Sequence, residues 1–136
     1  LEKSLELEKH VALVMDIHHH WIRDEEYIEA TDDRVKRVID SWRGQRPTMH
    51  YSYSRDEHLA PANLGDKIHT EMHDIKMLLE RGCKKQKLRA HSDLLPNAKV
   101  NDWALSFGEH FDIQTEAKGK NMAAEQLYRQ HLKNIV

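Results

Sequence analysis

Apolar residues in this chain come in short runs separated by polar bursts, and the runs alternate between two kinds of spacing. Leu1 to His10, LEKSLELEKH, reads as a short charged helix leading into VALVMDI. The run from Val11 to Ile17 lacks the alternation of a half-exposed strand, so it predicts a strand covered on both faces, as in parallel sheets. After it, His18 to Trp21 predicts a polar loop. Thr31, Asp32 and Asp33 then supply the cap of a helix in which Val35, Val38, Ile39 and Trp42 recur at helical spacing until Gly44. Thr48 to Tyr53 is the next β-prone segment, and it breaks into the loop SRDEHLAPANLGDK. Ile68, Met72, Ile75, Leu78 and Leu79 predict a long helix from about Lys67 to Arg81, stopped by Gly82. Leu88 to His91 reads as a short strand-like piece, Asn97 to Phe107 as a helix, Phe111 to Thr115 as a strand, and Asn121 to Ile135 as a closing helix.

Alternating strands and helices with apolar strands imply parallel pairing and right-handed crossovers. Three to four such βα units make up about half of an eight-unit (β/α)8 TIM barrel, and an open four-stranded sheet is the competing arrangement. The barrel fragment is preferred because polar side chains cluster where strands end, which is where barrels of this kind place their chemistry. The 136 residues are read as a single domain. Starting at Leu1 in helix-prone sequence, the chain is expected to be part of something longer. A half-barrel leaves strand edges and apolar faces uncovered, so self-association is expected.

Composition narrows the picture in two places. Lys and Arg number 21 against 23 Asp and Glu, a net charge of -2, so no global basic field recruits nucleic acid. His, by contrast, occurs 11 times, and imidazole is both a metal ligand and a titrating group near neutral pH. Cys83 is the single cysteine, and no stretch approaches the roughly 18 apolar residues of a membrane span, so a cytoplasmic, intracellular protein is expected.

The strand ends hold the candidate chemistry. Asp16 and His19 follow the first strand, His50 lies on the second, His91 follows the short segment and Glu116 follows the last. Carboxylates and imidazoles together suit divalent manganese, iron and zinc, and five such groups from successive strands can hold more than one ion. Asp93, two residues after His91, can orient or ligate from the same loop. His18 and His20 should point away from His19, and Trp21 reads as a lid or a core residue. His69 and His73 stand four apart, as on one helix face. Arg81, Lys84, Lys85, Lys87 and Arg89 form a basic segment before His91, with Lys87 and Arg89 the candidate phosphate contacts. Tyr51, Tyr53 and Ser54, near His50, are further candidates to touch the substrate. Lys118 and Lys120 follow Glu116, and Lys118 is the candidate catalytic cation for phosphate or transition-state charge.

DIHHHW after an apolar strand, then TMHYS, RAHSD and IQTEAKGK, resembles the second half of the UV damage endonucleases, over Val11 to about Leu127. That resemblance implies an eight-stranded α/β barrel related to endonuclease IV and the xylose isomerase-like barrels, with a divalent metal cluster in its mouth. Manganese is favoured, with zinc or magnesium as alternatives. The implied reaction is cleavage of the phosphodiester on the 5′ side of a damaged base in double-stranded DNA, and the implied extent is a C-terminal half-barrel. Asp16 and His19 resemble the family's Asp-x-x-His pair, His50 its strand histidine, His91 its His-x-Asp histidine and Glu116 the glutamate of its Glu-Ala-Lys strand end. Thr48 stands where some members carry a modified, metal-bridging lysine. Two other readings are a xylose isomerase-like sugar isomerase or epimerase, which calls for paired strand-end glutamates, and a non-catalytic fragment acting as an interaction module.

Overall fold

The computed structural model describes residues 1–117, 119 and 121–135. In chain order the elements are α1 (Glu2–Leu5), β1 (Met15–Asp16), α2 (Ile17–Asp24), α3 (Asp33–Asp40), β2 (Thr48–Tyr51), α4 (Asp56–Leu59), α5 (Ile75–Glu80), α6 (Lys85–Leu88), α7 (Ala98–Leu105), β3 (Asp112–Thr115) and α8 (Asn121–Ile135). Single 3-10 turns cover Ala60–Ala62 and Gly65–His69. The three strands form one parallel sheet in the order β1-β2-β3, with helical crossovers between neighbours. This is a mixed α/β fold whose sheet is open, and no barrel closes among the described residues.

Register assigns every strand side chain to a face. Met15 pairs with Met49 and Asp16 with His50, while His50 pairs in turn with Gln114 and Tyr51 with Thr115. Because side chains alternate along a strand, Met15, Met49 and Tyr51 share the face packed beneath helices, and Asp16, His50 and Gln114 share the other. Met49 and Tyr51 are fully buried, together with Ile17, Ile22, Val35 and Leu78. Aromatic rings continue this core toward the later helices. Trp21 stacks on Tyr27 at 5.4 Å, Tyr27 meets Trp103 edge-on at 5.0 Å, and Phe107 links Trp103 to Phe111.

Several local expectations change for identifiable reasons. The first strand is two residues long, and Val14 is 54% exposed, so the apolar run is covered on one face only. The expected loop after it is helix α2, because the Asp16 carboxylate accepts the His19 backbone N–H at 2.9 Å and caps the helix at once. The long helix over 67–81 is broken. Hydroxyls and an amide from distant segments capture its carbonyls: Tyr53 donates to Ile68, Asn97 to Glu71 and Tyr27 to His73. Helix then restarts at the Asp74 cap and stops before Gly82, whose φ of 103° is a conformation costly for residues with a Cβ. The segment before His91 is the helical turn α6, and His91 itself forms an isolated antiparallel bridge with Ser54. Asn97 caps α7 at the start of its predicted segment, and β2, β3 and α8 lie within the segments that the sequence predicts.

Candidate metal centre

Polar side chains from all three strands converge at the carboxyl end of the sheet, and their placement follows from strand register. Asp16 and His50 are register partners on the open face of the sheet. Gln114 is the next partner of His50, so Glu116, two residues further on, falls on the same face just past β3. A backbone hydrogen bond from Glu116 N–H to the Tyr51 carbonyl, 2.7 Å, fixes it there. One ligand atom each from Asp16, His50 and Glu116 lies within 4.8 Å of the others, the one such group of three among the described residues. His50 Nδ1 is 3.0 Å from Glu116 Oε1, and both side chains are 32% exposed.

The charges within this group are poorly matched. Burial raises the Asp16 carboxyl above the usual carboxylate range, as do the negative charge of Glu116 and the hydrogen bond between the two carboxyls. The His19 backbone N–H and imidazole pull in the opposite direction. Two carboxyls crowded together disfavour double ionisation, and a divalent cation relieves that repulsion while accepting the His50 imidazole as a further ligand. The donor set therefore fits such an ion.

His19 and His91 stand beside this group, with ring centroids 6.4 Å apart. Their ring nitrogens do not join the 4.8 Å cluster, so the five sequence candidates gather at one end of the sheet as a compact triad with two neighbouring histidines. His18 and His20 are both buried while His19 is exposed; residues two apart on a helix project to nearly opposite sides, so the two buried rings meet different neighbours. His20 lies between Asp24 and Glu26, at 3.0 and 2.8 Å. His18 is 3.0 Å from both Ser52 Oγ and Ser54 Oγ. Burial, with the nearby imidazoles of His19 and His91, lowers its pKa to about 3. The pairing of His18 with these serines escapes a reading of the sequence, although Ser-x-Ser starting two residues after a strand histidine is a visible pattern.

Other candidates fall elsewhere. Tyr51 cannot touch DNA: it is 0% exposed on the helix-covered face, and its hydroxyl donates to Asn101 Oδ1 at 2.6 Å. Tyr53 and Ser54 are likewise buried. His69 and His73 share no helix face, since His69 ends a 3-10 turn against Asp56 at 2.8 Å and His73 is buried in the break that follows. Trp21 belongs to the core. Asp93 faces Arg55, at 3.9 Å, and is not in the triad. Within the basic segment, Arg81 donates to the Ala62 carbonyl and Lys85 reaches Glu25, which leaves Lys84, Lys87 and Arg89 exposed. Arg89 borders a cavity of about 320 Å³ that is also lined by Asp16, His19 and Arg23. Lys118 and Lys120 lie outside the described residues.

A parallel α/β sheet carrying a carboxylate and imidazole cluster beyond its carboxyl ends places the chain among α/β proteins with a candidate divalent-cation centre. The family model for UV-endonuclease UvdE matches residues 4–136, and the chain belongs to that family. No curated protein and no solved structure matches it significantly. Among the described residues no helix is long and apolar enough to cross a membrane.

Proposed function

We propose that this chain provides the metal centre and part of the phosphate-contacting surface of a DNA repair endonuclease that hydrolyses the phosphodiester 5′ to UV-damaged bases in double-stranded DNA. The observation that carries the reading is the convergence of Asp16, His50 and Glu116, which are spread over 100 residues of sequence, within 4.8 Å. Family membership supplies the substrate class. Asp16, His50 and Glu116 hold a divalent ion, manganese favoured, and His19 and His91 extend the set to a neighbouring position. When bound, such ions supply a water of lowered pKa and neutralise charge on the scissile phosphate. Lys87 and Arg89 contact the substrate backbone electrostatically, and Lys118, two residues after Glu116 in the sequence, contributes positive charge. The three parallel strands and their polar end fit the C-terminal half of a TIM barrel, with intracellular DNA as the partner. A sugar isomerase would need a second strand-end glutamate, whereas Glu116 is joined by Asp16 and His50.

Two measurements test this. Calorimetric titration of the chain with manganese should show saturable binding that Glu116→Gln weakens about 10- to 100-fold, at least the cost of disturbing an outer-shell partner. A protein that joins this chain to the remaining strands should nick irradiated plasmid and spare unirradiated plasmid, while the isolated chain nicks neither. Absence of manganese binding by the chain, or equal nicking of both plasmids, would overturn the reading.

A further inference from the structure

Just inside the triad lies a buried imidazole that the proposed chemistry does not use. His18 is the second residue of α2, 3% exposed, and its two ring nitrogens each meet a serine hydroxyl in the chain that leaves β2. The Ser54 hydroxyl proton is already committed, because Ser54 Oγ donates to the Leu88 carbonyl at 2.8 Å. Toward His18 it can therefore only accept, which puts the imidazole proton on Nε2. Nδ1 is left as an acceptor, and the buried Ser52 hydroxyl donates to it. The hydrogen bonds thus select one neutral tautomer and run in one direction, from Ser52 through His18 and Ser54 to Leu88.

Three members of this relay each sit close to a different histidine of the candidate centre. His18 precedes His19 on α2, and Ser52 lies two residues after His50. Ser54 is bridged to His91, and the Ser92 N–H donates to the Tyr53 carbonyl at 2.8 Å, so backbone pairing joins the post-β2 chain to the His91 segment. We propose that His18, through Ser52 and Ser54, is a positioning residue of the metal centre: one buried imidazole sets the spacing of His19, His50 and His91 by tying together the three segments that carry them. This rests on the metal-centre reading above. It adds a role for residues that contact neither ion nor substrate.

The test uses Ser54→Ala, which removes one hydroxyl with little change of volume. Ser54→Thr serves as the conservative variant that keeps the hydroxyl, and Val35→Ala, a core truncation on α3, as the control for general loss of stability. Nitrogen-detected imidazole NMR on the metal-free chain should show His18 as the Nε2–H tautomer. In Ser54→Ala the ring signals of His19, His50 and His91 should all shift, whereas Val35→Ala leaves them in place. Manganese affinity, measured with every variant folded, should fall about 10-fold or more in Ser54→Ala, recover in Ser54→Thr and stay at the parent value in Val35→Ala. Unmoved ring signals in Ser54→Ala, or shifts of equal size in Val35→Ala, would overturn the positioning role. If the parent binds no manganese but the rings respond as described, the metal reading fails and the positioning of the three histidines stands.

Discussion

Asp16→Asn separates the two tasks of Asp16, helix cap and charged ligand, and should make the chain more stable without metal and less stable with it. Asn caps helices about as well as Asp, so the hydrogen bond from His19 N–H survives the change. What disappears is the repulsion with Glu116. Two unit charges within 4.8 Å of each other interact by at least about 3.5 kcal/mol at an effective dielectric of about 20, and screening at the partly exposed Glu116 reduces this to about 1 kcal/mol. The pH dependence follows from the raised Asp16 carboxyl. The folded state holds the proton more tightly than the unfolded chain, so ionising Asp16 destabilises the fold. That cost is fully present above the folded pKa and vanishes as pH falls below the unfolded value of 3.8. The advantage of the Asn variant is therefore largest near neutral pH and disappears in acid.

Manganese reverses the order. At a concentration of about 100 times the parent Kd, binding stabilises the parent by about 2.7 kcal/mol, but a variant that binds 10- to 100-fold more weakly by only about 1.4 to 0.4 kcal/mol. At about 3–5 °C per kcal/mol for a chain of this size, the melting curves should cross. In chelator at pH 7 the variant melts a few degrees higher, and in manganese the parent melts higher. Thermal melts followed by circular dichroism, with and without manganese, read both effects. An equal manganese shift in the two proteins would remove Asp16 from the ligand set, and a lower melting point for the variant in chelator would refute the repulsion argument.

Tyr51→Phe should lower stability by about 1–3 kcal/mol in a thermal melt, because it strands the buried Asn101 oxygen, while leaving DNA affinity unchanged. Loss of DNA affinity without loss of stability would contradict the burial of Tyr51. Lys87→Ala and Arg89→Ala should each reduce the salt dependence of DNA binding by about one unit of log–log slope in filter or fluorescence titrations, with manganese affinity intact. A salt slope that does not change would mean that neither cation touches phosphate. Val11 and Val14 are about half exposed beside the free edge of β1, so sedimentation at rising concentration should show self-association, and a stable monomer throughout would argue against an uncovered sheet edge.

Features that depend only on near neighbours along the chain are legible in the amino-acid sequence. Asp32 and Asn97 cap α3 and α7, β3 and α8 occupy predicted segments, and the strand-end positions of Asp16, His50 and Glu116 follow from where apolar runs stop. Even the separation of Tyr51 from His50 is implicit in strand alternation, which puts consecutive residues on opposite faces. Which face the helices cover is not, because that depends on crossovers tens of residues long. The same limit explains the broken helix over 67–81. Its apolar spacing is helical, but Tyr27, Tyr53 and Asn97 arrive from elsewhere in the chain to take the carbonyls that a continuous helix would use itself. It also explains His18, whose partners Ser52 and Ser54 lie 34 and 36 residues away. Local hydrogen bonding and periodicity operate over a turn or a strand and can be read one window at a time. Burial and the pairing of buried polar groups depend on which distant segments the packed sheet and helices bring together.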